Sequence, residues 1–168
     1  MRAFGAPTAI RYPRGEAYDG LKENREPIVY GKSESIYREK DIILFAAGSM
    51  VKVALEVRSQ LAGEGYFCSL TNARFVKPID EAAVKEACAE HKLIVTMEEN
   101  VASGGFGEKV RAYVDTLNTD VKVMCVTIPD EYVEHGNVEL LKKEVGIDAD
   151  SIVERILAYM RAEGKAWT

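Results

Sequence analysis

Residues 92–117, KLIVTMEENVASGGFGEKVRAYVDTL, restrict the fold more than any other stretch of the chain. Residues 93–97 form an apolar run of strand length, followed by the carboxylates Glu98 and Glu99 and the amide Asn100. After a loop of small residues, Phe106, Val110, Tyr113, Val114 and Leu117 recur at the spacing of one helical stripe. A strand that turns through Gly104, Gly105 and Gly107 into a helix is an α/β unit. Its functional edge is the carboxyl end of the strand. The glycines allow a positive φ or a close approach of backbone. They fit either a phosphate cradle on the helix N-terminus or a tight turn packed against a neighbour. The order is neither G-x-G-x-x-G nor a P-loop with Lys and Ser/Thr. Glu98 and Glu99 would repel an anion, so the packing turn is favoured.

The same rhythm begins at Asp41. Residues 42–46 read as a buried strand, and Gly48-Ser49 leads into a helix with Val51, Ala54, Leu55 and Leu61 on one face. Residues 66–70 are the next strand. After the irregular TNARFVKPID, Asp80 caps a helix lined by Ala83, Val84, Ala87 and Cys88. Residues 121–128 are apolar enough for a strand buried on both faces. A short helix over 138–145 ends at Gly146. Asp148 or Asp150 caps a last helix that buries Ile152, Val153, Ile156, Leu157 and Met160. Strands separated by helices predict a mostly parallel sheet covered on both faces, with right-handed crossovers. Upstream, residues 28–30 and 35–37 are extended pieces around Gly31, an edge hairpin or a strand leading into the core. Residues 16–26 read as a charged linker. Residues 7–12 form an extended stretch with nothing before it to pair with, which suggests a domain that begins upstream.

A chain of 168 residues is one ordinary domain with an appended arm. Its 27 acidic and 22 basic residues are scattered and form no basic patch, which argues against nucleic acid. Cys68, Cys88 and Cys125 stand far apart in apolar contexts, without C-x-x-C or a histidine at ligand spacing. They read as reduced core thiols. No apolar run approaches the ~20 residues of a membrane span, and the first residues lack the apolar region of a signal peptide. A soluble, cytoplasmic protein is expected.

Few residues invite chemistry. In Arg11-Tyr12-Pro13-Arg14-Gly15 two guanidinium groups flank a stiff Tyr-Pro, suited to a phosphate or carboxylate. Two exposed arginines in a connecting loop are the alternative. Glu98 and Glu99 point to opposite strand faces and cannot share a substrate proton. At least one is expected to be structural, taking backbone N–H groups or pairing with an arginine such as Arg74. His91 reads as a helix-end residue and His135 as a turn residue. No catalytic triad, metal site or cofactor fingerprint can be assembled.

Five segments occur in order: PTAIRYPRG, GKSESIYREKDIILFAAGSM, NARFVKPID, TMEENVASGGFG and IPDEYVEHGNVELLKKEVGIDADSI. Over nearly its whole length the chain resembles the C-terminal part of the 1-deoxy-D-xylulose-5-phosphate synthase family, thiamine-diphosphate enzymes related to transketolase. The resemblance implies a three-layer α/β/α fold with a mostly parallel five-stranded sheet, one strand antiparallel. It makes residues 1–26 the end of a preceding pyrimidine-binding domain plus linker, and 27–168 a transketolase C-terminal-like domain. The family condenses pyruvate with D-glyceraldehyde 3-phosphate, releasing carbon dioxide, for isoprenoid biosynthesis. Thiamine diphosphate and Mg²⁺ are held by motifs of the earlier domains that this sequence lacks. The chain is therefore expected to hold no catalytic, cofactor or metal residue and to be inactive alone. Arg14 matches the arginine that contacts the substrate phosphate, with Arg11 carried over beside it. The turn from Glu98 to Gly107 matches a segment near domain and dimer interfaces. The expected partners are the missing N-terminal domains and, in the intact enzyme, a second copy. The alternatives are the C-terminal section of a split transketolase or of a 2-oxoacid dehydrogenase β-chain, or a stand-alone interaction module. RYPRG and the HG…GID tail favour the synthase.

Overall fold

The computed structural model describes residue 5, residues 7–12 and residues 18–163. In chain order the elements are β1 (Glu34–Tyr37), β2 (Asp41–Ala46), α1 (Met50–Gly63), β3 (Cys68–Asn72), α2 (Glu81–Glu90), β4 (His91–Val101), α3 (Phe106–Thr116), β5 (Lys122–Ile128), α4 (Val138–Glu144) and α5 (Ala149–Glu163). The strands form one sheet in the order β1-β3-β2-β4-β5. Strand β1 is antiparallel to β3 and every other pair is parallel. This is the three-layer arrangement with one antiparallel strand that the resemblance implies.

The period of two along β2 explains the two cores. Ile42, Leu44 and Ala46 pack with Val57 and Leu61 of α1 and Ile152 and Ile156 of α5. Ile43 and Phe45 face the other way, onto Val84 and Ala87 of α2 and Phe106 and Val110 of α3. Both faces of β2 are covered, so its sequence is an apolar run without alternation. Helix starts follow side-chain chemistry. Asp80 accepts the Ala83 N–H at the head of α2. Of the two candidate aspartates before α5, Asp148 is the cap, taking the N–H groups of Asp150 and Ser151.

Several boundaries differ from the sequence reading. Strand β3 starts two residues later than expected, because the Tyr66 N–H returns to the Leu61 carbonyl and closes α1. Strand β4 runs on through both glutamates. Strand β5 is an edge, and only Val126 is buried in it, not a strand covered on both faces. Residues 28–30 belong to no strand, and β1 pairs Glu34 with Asn72 of β3 rather than forming a hairpin with them. Residues 7–12 also join no strand.

Candidate functional site

Strands β2, β3, β4 and β5 end at one edge of the sheet, and the sequence places its carboxylate pair there, at the end of β4. Glu98 lies on the same strand face as Ile94, toward α3, and is only 4% exposed. Its two carboxylate oxygens accept one N–H each, from Phe106 and Gly107, both at 2.8 Å. The first amides of a helix lack intrahelical partners and carry a partial positive charge. Glu98 supplies the anion from within the chain. The cradle is filled by the protein's own carboxylate, which disposes of the phosphate reading of the glycine loop and fulfils the expectation that one glutamate would take backbone N–H groups.

Gly105 is required by this contact, and Gly107 by the close seating of α3 on β4 and β5. A Cβ on Gly105 would sit 2.6 Å from Glu98 Oε1 and 2.7 Å from the Val101 carbonyl oxygen. One on Gly107 would sit 2.5 Å from Thr96 Oγ1 and 2.9 Å from Cys125 Sγ. Helix propensity alone predicts that Gly107→Ala stabilises α3 by about 1 kcal/mol. Overpacking against β4 and β5 should reverse that sign, to a loss of about 2 kcal/mol in urea denaturation. The same change at exposed Gly63, where a Cβ meets nothing within 4 Å, provides the control.

Glu99 points the opposite way. Its carboxylate pairs with Lys142 of α4 at 3.1 Å, and its carbonyl accepts a hydrogen bond from Arg11 Nη2 at 2.5 Å. The N-terminal arm, the end of β4 and α4 therefore meet at one point. Arg14 lies outside the described residues. Arg74 does not pair with Glu98 or Glu99. It sits with φ of 54° and reaches Glu34, at 2.6 Å, and the carbonyl of Glu26. Sequence spacing gave no sign of this pair, whose members lie 40 residues apart, Glu34 at the start of β1 and Arg74 in the loop after β3.

Away from this edge, the ionisable groups serve the fold. His91 caps α2, its Nδ1 3.1 Å from the Ala87 carbonyl oxygen and its Nε2 2.9 Å from Ser69 Oγ. This serine–histidine contact was not legible in the sequence. It makes no nucleophile: the Ser69 hydroxyl also bonds both the N–H and the carbonyl of Glu39, and no carboxylate orients the ring. His135 is exposed in a loop. The three cysteines are free, and burial pushes the Cys68 thiol up to about 12, with Arg58 pulling it partly back. A cavity of about 520 Å³ lies between α2 and the β1–β3 side of the sheet. Two carboxylates on its wall already have partners, Asp80 with Lys32 and Ser33, and Glu86 with Arg38. Among the described residues no group of His, Cys, Asp and Glu side chains could hold a metal ion. No helix among them is long and apolar enough to cross a membrane.

Two aspartates tie stability to pH. Burial raises the Asp80 carboxyl, but hydrogen bonds from Ser33, Lys32 and Ala83 together outweigh it and hold it below the ordinary 3.8. At Asp148 burial is likewise outweighed, by Ser151 and the neighbouring backbone N–H groups. Carboxyls depressed in the folded state stabilise it fully above their unfolded values and lose that contribution as pH falls through the folded ones. The urea midpoint should therefore drop as the pH goes below about 4, and Asp80→Asn should flatten the drop.

The chain is similar to known proteins over most of its length. A family model described as transketolase, C-terminal domain, matches residues 31–152. The 1-deoxy-D-xylulose-5-phosphate synthase of Lachnoclostridium phytofermentans is 46% identical over 91% of this chain and 25% of its own length. That of Dictyoglomus thermophilum is 37% identical over 94% of this chain and 26% of its own. This chain thus spans about a quarter of the curated relatives it matches. Among solved structures, a split gene transketolase described as an inactive beta4 tetramer superposes with a TM-score of 0.71 at 25% identity, over 78% of this chain and 42% of that one.

Proposed function

Because the chain belongs to the transketolase C-terminal domain family, we propose that it is the C-terminal quarter of a 1-deoxy-D-xylulose-5-phosphate synthase. The observation that carries this reading is the 46% identity extending over 91% of the chain, beyond the bounds of the family domain. The whole enzyme condenses pyruvate with D-glyceraldehyde 3-phosphate and releases carbon dioxide. It works in the cytoplasm as a homodimer, with the preceding domains as this region's partners. Residues 1–26 end the pyrimidine-binding domain and link it to residues 27–168.

Thiamine diphosphate and Mg²⁺ supply the carbanion chemistry of that reaction, and the described residues do not fit them. The helix N-terminus best placed to take a diphosphate is already bonded to Glu98. No cluster of metal ligands lies among the described residues. The contribution assigned to this chain is the arm. Arg11 anchors it on the Glu99 carbonyl, leaving further donors of the guanidinium fork for an anion. Arg14, three residues on, binds the triose phosphate group together with Arg11.

The test replaces the last quarter of the Lachnoclostridium phytofermentans synthase with this chain. The joined enzyme should form deoxyxylulose phosphate, and the chain alone should form none. Arg14→Ala in the joined enzyme should raise KM for glyceraldehyde 3-phosphate at least about tenfold, the loss of one charge-assisted pair, with KM for pyruvate unchanged. Turnover by the isolated chain, or an Arg14 effect shared by both substrates, would defeat the reading.

A further inference from the structure

The sheet face that carries Ile43 and Phe45 changes character one strand away. The register partners of these residues on β3 are Ser69 and Thr71, and Ser35 of β1 lies opposite Thr71. Apolar residues packed under helices thus give way to a row of hydroxyls. Over that row lies the cavity of about 520 Å³ beside α2. Two ion pairs bound it. Lys32, just before β1, reaches Asp80 at the head of α2 at 3.0 Å, and Arg38, just after β1, reaches Glu86 of α2 at 2.9 Å. Helix α2 is therefore tied to both ends of β1, with the cavity between them. Neither Arg11 nor the turn from Glu98 to Gly107 lines it.

The two buried hydroxyls on its floor differ. Ser69, 3% exposed, is fully engaged by the N–H and carbonyl of Glu39 and by His91. Thr71, 5% exposed, lines the same cavity, yet its hydroxyl has no hydrogen-bond partner among the described residues. A hydroxyl withdrawn from water without a partner is costly, and valine would suit the same strand position without that cost. Across the ladder the Ser35 hydroxyl is equally unpartnered among the described residues. We infer that this cavity binds an uncharged polyol of about monosaccharide size, held by the hydroxyls of Thr71 and Ser35, with Ile43 and Ala83 against its C–H groups. The volume is that of an ordinary small-molecule site. Its wall carries the carboxylates of Glu26, Asp80, Glu86 and Glu90 against the cations of Lys32 and Arg38. That excess of negative charge turns away phosphates and carboxylates, the substrates proposed above included. Asp80 and Glu86 already hold cations, and Glu26 and Glu90 are exposed at the rim. An ammonium group would therefore find no unpaired anion on the floor, whereas a neutral hydroxyl finds two partners there.

Amide NMR of the 168-residue chain tests it, with separate titrations of sorbitol, glucose, inorganic phosphate and spermidine. Sorbitol or glucose should shift the amides of Ser35, Thr71 and Ala83 saturably and leave that of Phe67 in place. The dissociation constant should be about 1 mM, as ordinary ligand efficiency gives for molecules of this size. Thr71→Val removes the unpartnered hydroxyl without breaking a bond inside the protein. It should keep or raise the urea midpoint and weaken polyol binding at least about fivefold. Ser35→Ala, at an exposed position of the edge strand, should weaken binding as well, which preserves the test if the first substitution disturbs β3. Shifts that fail to saturate with both polyols overturn the site. So do equal shifts with phosphate or spermidine, and so does full affinity in both variants.

Discussion

Glu98→Ala should cost about 4 kcal/mol of folding stability, because it strands two buried N–H groups and leaves a void. Each of those amides, on Phe106 and Gly107, now has a charged oxygen at 2.8 Å. A domain of this size is stable by only about 5–15 kcal/mol, so the variant should be close to unfolding at physiological temperature. Glu98→Gln is the informative companion. Its amide keeps one acceptor but turns an NH₂ group toward the second N–H, so it should lose about 3 kcal/mol although its shape is unchanged. Glu99→Gln, one residue on, weakens a partly buried pair with Lys142 but keeps an amide oxygen for the ammonium, and should cost about 1 kcal/mol. Urea denaturation of the three variants decides the matter. Equal losses at positions 98 and 99 would mean that α3 does not depend on the carboxylate.

This contrast was legible in the sequence, since two neighbours on a strand must face opposite ways. The layers were legible too, because each rests on a period: two along β2, between three and four along α3 and α5. What was not legible depends on position within the sheet. The apolar run of β5 suits a central strand as well as an edge strand, and only the order β1-β3-β2-β4-β5 shows that no strand among the described residues pairs with its outer side. Residues 28–30 carry strand-forming side chains, yet tertiary contacts hold them: Arg74 on the carbonyls of Glu26 and Pro27, and the Phe75 ring 5.7 Å from that of Tyr30. At the candidate site, the arginine motif announced itself by composition. Its anchor on a backbone carbonyl could not, since every residue has one.

Arg74 gives the second large effect. Glu34 is 3% exposed, and its carboxylate lies 2.6 Å from the Arg74 guanidinium and 3.0 Å from the Glu26 N–H. Removing the cation with Arg74→Ala leaves a buried charge with one neutral donor, which should cost about 3–5 kcal/mol. The carbonyls of Glu26 and Pro27 lose a donor at the same time, so amide exchange over residues 26–33 should quicken more than in the core helices. Replacing both partners, as Glu34→Gln with Arg74→Met, removes the unpaired charge while keeping most of the volume. The double variant should therefore be more stable than Arg74→Ala by at least about 1 kcal/mol. A double-variant loss equal to the sum of the Arg74→Met and Glu34→Gln losses, each measured alone, would show that the two groups do not interact across the start of β1. The coupled result would make Arg74 the residue that fixes the approach of the chain to the sheet, on the edge where Arg11 holds the arm.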